Sequence, residues 1–474
     1  MSESLQALIL ACRQAFDAGE YALALAISRQ LSALAPDRAE SWRVQAEALV
    51  GLDRSSEALH PYAMAVARAP ADGRLRVRQA RALAACGLHQ QAERSFAAAV
   101  ALDPALLSAV HGLIGYRRLD PVDPCLDTVR AIAAGAPASP GSRAFACFLL
   151  GRILSGAGQD AEAFTFYAEA NRLTHHSLRA SPAERGPQQF RQWWHRHGRQ
   201  ALQTDQRAVA PRPCPAVLVC GLPRSGKSLV EHLISGHPEL AAGEEFGGLL
   251  ELVDGCVTDD GAAADPAARL QALQATPERL AECYSEALQA AAKPTAQRLI
   301  DTAPGNLWDL GYLAALHPEV PLILCRRDPL DLGVAIFFKK FSSGHAYSYD
   351  QATLGRRLAL ADHAIALWPQ WLPNPLQVVE YEELVSDPEA IRNRLLRGLG
   401  CDPAACPPLP SSPSPGGGAA TLHPSHSATG YGAIRPDLIG VGRRYARWMQ
   451  PLLEAYDHSR EAWRRGEAQE TGPG

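Results

Sequence analysis

The residues with the plainest chemistry in the sequence are Gly221-Leu-Pro-Arg-Ser-Gly226-Lys227-Ser228. Glycines at such spacing let a backbone approach a ligand closely, and amides turned inward ahead of a positive helix end hold a phosphate-like anion. Taken alone, the stretch satisfies G-x-x-x-x-G-K-S/T, the triphosphate loop in which Lys227 reaches the β- and γ-phosphates and Ser228 holds magnesium. An ATP-dependent phosphotransferase or NTPase is therefore one reading. Against it, that chemistry needs an aspartate for magnesium after a downstream strand. The apolar run PLILC leads instead into Arg326 and Arg327, with Asp328 only after two cations.

The elements that must position this loop are legible around it. Ala216 to Cys220 is a short apolar run bounded by Pro215 and Gly221, the pattern of a buried parallel strand. Leu229, Val230, Leu233 and Ile234 share one helix face, and Gly236, His237 and Pro238 end that helix. Downstream, strands are expected at Arg298–Asp301, Pro321–Cys325 and Leu376–Glu380. Helices are expected at Asn306–Leu316, Leu330–Phe341, Gln351–Trp368 and Glu389–Leu399. This alternation predicts an α/β P-loop-like domain with a parallel sheet and helices on both faces. Ligands on such sheets sit at the carboxyl ends of strands, where the Gly221 loop and the Arg326, Arg327 pair both fall.

The first 175 residues read differently. Pro36, Pro70 and Pro104 each close an apolar helical run at a period of 34 residues, and Ala24, Ala58 and Ala92 keep the same period. That is the period of tetratricopeptide helix pairs, in which a small residue lets two antiparallel helices approach closely. A fourth copy is expected near Ala163 and Tyr167. An α-helical tetratricopeptide solenoid over residues 1–175 would present a concave surface to a peptide or protein partner. Residues 176–214 read as a polar linker carrying Trp193 and Trp194, residues 215–460 as the α/β domain, and residues 461–474 as a disordered tail. Asp402 to Ala420, rich in Pro, Ser and Gly, reads as a mobile surface loop.

Composition narrows the function classes. A formal charge of −4 gives no global basic excess for nucleic acid or an anionic membrane surface. The eleven cysteines are scattered, several inside apolar runs, which suits reduced thiols better than a disulfide framework. Cys401 and Cys406 are the nearest pair, but no second Cys/His pair flanks them at zinc spacing, so no metal site is expected. The amino terminus lacks a basic leader and no apolar run reaches membrane-spanning length, so a cytoplasmic location is expected.

Seven segments then occur in a telling order: Pro223-Arg-Ser-Gly226, His237-Pro-Glu239, Gly243-Glu-Glu245, Asp301-Thr-Ala-Pro-Gly-Asn306, Cys325-Arg-Arg-Asp-Pro-Leu-Asp331, Gly344-His-Ala-Tyr-Ser-Tyr-Asp350 and Tyr381-Glu-Glu-Leu384. Together they resemble the sulfotransferase domain of tetratricopeptide-repeat-containing sulfotransferases and are similar, more distantly, to protein-tyrosine sulfotransferases. The resemblance implies a sulfuryl donor, 3′-phosphoadenosine 5′-phosphosulfate, and in-line transfer to an acceptor hydroxyl or amine, on a peptide or a carbohydrate. It implies that Arg224 lies on the 5′-phosphosulfate with Ser225, Gly226, Lys227 and Ser228 around it, that Glu245 is the base, and that Arg327 clamps the 3′-phosphate. It further implies that Thr429 donates a hydroxyl near the leaving group, and that Gly442, Arg443 and Arg444 close over the nucleotide. Three positions depart from the pattern. Ala335 stands where a serine usually shares the 3′-phosphate, Asp301-Thr302 where a lysine is usual, and Lys227 where a threonine is usual. Lys227 would restore the lost positive charge; if it does not, the alternative is a tetratricopeptide scaffold with a degenerate transferase domain.

Overall fold

The computed structural model describes residues 3–177, 185–204, 212–255, 266–291, 293–341, 345–409, 434 and 436–465. They divide between two compact units, one within Met1–Leu173 and the other within Thr174–Ser412 and Ile434–Gly474.

The first unit is a succession of helical hairpins: α1 (Glu3–Asp17) with α2 (Tyr21–Leu34), α3 (Ala39–Gly51) with α4 (Ser55–Arg68), and α5 (Gly73–Ala85) with α6 (His89–Leu102). Then follow α7 (Leu107–Leu113), α8 (Asp127–Ala134), and a further hairpin of α9 (Pro140–Gly156) with α10 (Asp160–Ser177). Ala24, Ala58 and Ala92 are fully buried on the second helix of each regular pair, where a larger side chain would push the helices apart. Tyr62 and Phe96 fill the next turn of α4 and α6. Phe96 packs so closely on Gly112 of α7 that a Cβ there would fall 2.2 Å from its ring, and Tyr167 of α10 stands similarly at 3.0 Å from a Cβ on Gly151 of α9. The period also governs the turns. Gly19, Asp53 and Gly87 join the two helices of successive hairpins, and all three are left-handed, with φ of 73°, 57° and 73°. The 34-residue repeat is thus one of tetratricopeptide-type hairpins.

The second unit holds a five-stranded, wholly parallel sheet in the order β2-β3-β1-β4-β5. Its strands are β1 (Ala216–Cys220), β2 (Leu240–Ala242), β3 (Arg298–Asp301), β4 (Leu322–Arg326) and β5 (Leu376–Glu380). All five residues of β1 are buried at the centre of the sheet, as a continuous apolar run requires. Four of these strands match the sequence expectation to within a residue. The fifth, β2, is only three residues long and was not anticipated; it pairs Leu240 with Arg298 and Ala242 with Ile300.

Helices α11 (Arg185–Gln189), α12 (His195–Thr204), α13 (Lys227–Ile234), α14 (Gly248–Asp254), α15 (Pro266–Gln274), α16 (Arg279–Ala290), α17 (Asn306–Leu316), α18 (Pro329–Phe337), α19 (Gln351–Trp371), α20 (Tyr381–Ser386), α21 (Pro388–Gly398) and α22 (Gln450–Arg465) complete it. The stretch read as a linker therefore includes α11 and α12, and the residues between them pack inside this unit. Phe190 lies against Trp308 and Trp368, and Trp194, fully buried, lies edge-on to Tyr312 at 4.9 Å. Residues 461–465, assigned to a tail, are instead the last turn of α22, with Trp463 buried. Of the Pro/Ser/Gly stretch, Pro403–Ala405 forms a short 3-10 turn and Cys406 is buried; residues 410–420 and 466–474 lie outside the described residues. No described helix is long and apolar enough to cross a membrane.

Candidate active site

The loop between β1 and α13 is curled by three left-handed residues, Gly221 (φ 154°), Arg224 (φ 70°) and Gly226 (φ 106°). A Cβ on Gly221 would stand 2.6 Å from Ser225 Oγ and 2.7 Å from the Cys325 carbonyl, so the loop closes against β4 only because that position has no side chain. A Cβ on Gly226 would stand 2.9 Å from the Tyr381 ring. Gly226 then caps α13, its carbonyl accepting from the amides of Leu229 and Val230, both at 3.0 Å.

Within this curl, polar groups are buried without a use. Ser225 and Lys227 are 2% and 5% exposed, and neither Ser225 Oγ nor Lys227 Nζ finds a hydrogen-bond partner among the described residues. Burial lowers the Lys227 pKa, and the negative charge of Glu245 leads the influences that oppose the shift. A buried ammonium left unpartnered costs several kcal/mol. An anion in the loop offsets that cost.

The second cation comes from β4. Arg327, just beyond the strand end and 8% exposed, donates from Nη1 to the carbonyl of Arg224 at 3.2 Å, and its guanidinium lies 4.1 Å over the Tyr381 ring. Its Nε has no partner among the described residues. Arg326 points elsewhere: it is exposed and pairs with Glu380 at 3.4 Å and Asp362 at 3.7 Å. Alternation along a strand separates the two arginines, which sequence spacing alone could not do.

Glu245 is carried by an exposed loop fixed at both ends. Ahead of it, Glu231 of α13 accepts from the amide of Glu244 at 2.8 Å, and Glu244 accepts from the amide of Thr302 at 2.7 Å. After it, Asp301 accepts from the amide of Gly247 at 3.2 Å, from that of Ala303 at 2.8 Å and from the hydroxyl of Tyr284 at 2.6 Å. Burial pushes the Glu231 carboxyl up to about 7 despite the backbone donors that favour its anion. Asp301 is thus an acceptor already engaged by three groups, and Asp328 is likewise engaged, capping α18 through the amides of Leu330 and Asp331 at 3.0 Å.

Arg443 is exposed in the 3-10 segment Val441–Trp448. The segment is tied to the first turn of α18, because Asp331 accepts from the amides of Gly440 and Gly442, both at 2.6 Å. Arg443 therefore stands on the helix that begins just after Arg327. Thr429 lies outside the described residues. Ser228 is half-buried in the first turn of α13, and Ala335 is half-buried on α18 with no hydroxyl to offer. The structure therefore gathers Arg224, Ser225, Gly226, Lys227 and Arg327, and adds Tyr381, Glu231, Asp301 and Asp331, to which the sequence gave no role. The last three betray themselves only through backbone amides, which no side-chain pattern announces.

One other cluster offers ligating atoms, those of His237, Glu239 and Cys401, within 4.8 Å of one another. Its atoms are otherwise engaged: Glu239 N donates to His237 Nδ1 at 3.3 Å and Arg298 Nη2 donates to Cys401 Sγ at 3.2 Å.

A parallel sheet whose central strand feeds a glycine loop with an unused cation, beside an arginine at the next strand end, defines an α/β anion-binding domain. Comparison with known proteins specifies it. Residues 215–404 match the model of the sulfotransferase family, so the chain carries a sulfotransferase-family domain behind its tetratricopeptide-type hairpins. Nodulation protein NoeE of Sinorhizobium fredii is 32% identical over 227 residues, which are 42% of this chain and 52% of that protein. An uncharacterized protein of Aquifex aeolicus is 23% identical over 339 residues, 66% of this chain and 42% of the other. The chain spans about half the length of the curated relatives it matches. Among solved structures, sulfotransferase STF9 from Mycobacterium avium aligns with 70% of this chain and 96% of its own at 13% identity and a TM-score of 0.29.

Proposed function

We propose that the chain is a sulfotransferase that takes 3′-phosphoadenosine 5′-phosphosulfate as donor. The single observation that carries the reading is the pair of buried, unpartnered cationic groups, Lys227 Nζ in the loop and Arg327 Nε beside it, in a curl that a Cβ at Gly221 would close. They suit a ligand with two separate anionic groups. In this reading Arg224, Ser225, Gly226, Lys227 and Ser228 hold the 5′-phosphosulfate, Arg327 holds the 3′-phosphate on the Tyr381 face, and Arg443 closes over the nucleotide. Sulfuryl transfer moves charge onto the leaving phosphate, so fixed cations aimed at that phosphate lower the barrier. Glu245, held by Glu231 and Asp301 on either side, is the base that takes the acceptor's proton. Lys227 supplies the positive charge that Thr302 cannot. The acceptor is a hydroxyl or amine compound, and a peptide or protein partner on the hairpins is the natural use of that unit.

The triphosphate reading of the loop is disfavoured by the occupied carboxylates. Asp301 and Asp328, the acidic groups nearest the strand ends beside the loop, are spent on backbone amides and on Tyr284. Calorimetry with adenosine 3′,5′-bisphosphate, with and without magnesium, alongside ATP with magnesium, tests the proposal. Micromolar binding of the bisphosphate without metal is expected, weakened 100-fold or more in Arg327→Ala. Preference for ATP with magnesium would overturn it in favour of a phosphotransferase. Binding of neither would leave a scaffold.

A further inference from the structure

Beside the unpartnered ammonium stands a histidine to which neither the loop nor the strand-end arginine assigns a role. His345 precedes the 3-10 turn Ala346–Tyr349. Its ring packs on Phe341 at 4.4 Å and meets Tyr347 edge-on at 5.8 Å, while the Tyr347 hydroxyl lies 3.4 Å from its Nδ1. On the far side of Tyr347, the guanidinium of Arg357 from α19 sits 4.4 Å over the phenol ring. Burial first, and then the positive charges of Lys227 and Arg357, push the His345 imidazole down to about 4.

Two consequences follow from elementary chemistry. A cation over a phenol draws electron density from it and makes its hydroxyl the better donor. Tyr347 then donates to Nδ1, and the single proton of the neutral imidazole resides on Nε2. A group that titrates near 4, moreover, is too weak a base to take a proton at neutral pH, and its cation would face Lys227 and Arg357. The role open to it is that of an uncharged donor.

We propose that His345 donates a neutral hydrogen bond from Nε2 to an oxygen of the sulfuryl group, with Tyr347 the positioning residue that fixes its tautomer. The proposal rests on the phosphosulfate reading above. In the transfer the acceptor oxygen forms a bond to sulfur and the sulfur–oxygen bond to the 5′-phosphate breaks. The electron pair leaves with the bisphosphate and the acceptor's proton passes to Glu245. His345 keeps its proton throughout. An uncharged donor orients the sulfuryl oxygens without binding tightly the negative charge that must drain from them toward the phosphate.

The experiment compares two probes on the full chain: 3′-phosphoadenosine 5′-phosphosulfate, and adenosine 3′,5′-bisphosphate, which lacks the sulfuryl group. The ratio of their affinities isolates contacts to that group, and bisphosphate affinity reports that the site is folded. His345→Ala should lower the ratio about 10-fold, with bisphosphate binding unchanged. His345→Gln, whose amide is also a neutral donor, should retain most of it, and Tyr347→Phe should lower it by a smaller factor. In the wild type the ratio should be flat between pH 5.5 and 8. A ratio unmoved by His345→Ala, or one that follows a titration near pH 6.5, overturns the proposal while leaving the phosphosulfate reading standing. Failure of the wild type to bind either probe overturns both.

Discussion

Lys227 is the residue on which the chemistry of the second unit turns, because its ammonium is buried beside groups that do not pair with it. Its folded pKa is depressed, so in the ligand-free protein the unfolded chain holds this proton more tightly. The penalty is present wherever the side chain is charged and is relieved as pH rises toward its ordinary value of 10.5. Lys227→Met should therefore raise the melting temperature of the ligand-free protein at pH 7 and abolish bisphosphate-induced stabilisation; a lower melting temperature would mean that the ammonium has a partner after all. Glu231 gives the opposite sign. Its folded pKa is raised to about 7, so the folded state binds the extra proton between roughly 4.5 and 7. Stability should fall across that window as pH rises, by up to about 1.4 kcal/mol per pH unit, and hold level above it. Glu231→Gln should flatten the slope in chemical denaturation series taken at several pH values.

At the scale of elements, both units rely on a few residues held in conformations that most side chains resist. Asp53 occupies in the second hairpin the left-handed turn that glycine fills in the first and third. Asp53→Gly should accordingly stabilise the protein by about 0.5–1 kcal/mol in urea unfolding, whereas Gly87→Asp should cost a similar amount. The segment bearing Arg443 depends on one carboxylate, since Asp331 accepts both Gly440 and Gly442 amides. Asp331→Ala should weaken bisphosphate binding about 10-fold without touching the loop; unchanged affinity would remove Arg443 from the site. What the sequence disclosed at this scale follows the strength of local pattern. β1 is five apolar residues between breakers, α17 begins and ends where its periodicity does, and the proline period marks the hairpins. β2 is three residues of ordinary composition recruited by pairing with β3, and α11 and α12 sit in a polar stretch whose buried face is only Phe190 and Trp194. Neither carries a local signal. The same limit explains the site: Lys227 and Arg327 stand in motifs, but Asp301, Glu231 and Asp331 act through amides brought near by tertiary folding.

Across the whole molecule, each unit has its own buried core. In the first it runs from Cys12 and Ala24 to Leu75 and Ala82, and in the second it lies between the sheet and helices α13, α20 and α21. Scanning calorimetry should accordingly resolve two transitions. Bisphosphate at 100 times its dissociation constant should stabilise only the unit that holds the sheet, by about 2.7 kcal/mol. A ligand shift of both transitions would mean that the cores unfold as one.

The bond from Arg327 to the loop runs to the backbone carbonyl of Arg224, not to its side chain. The two anion-holding strands are thereby joined in a manner indifferent to the identity of residue 224. Mutational drift at that position can exchange one side chain for another, so long as the left-handed turn survives, and Arg327 keeps its aim. Orientation of the second clamp is thus inherited from the shape of the first, and what the lineage must preserve at residue 224 for that purpose is a conformation.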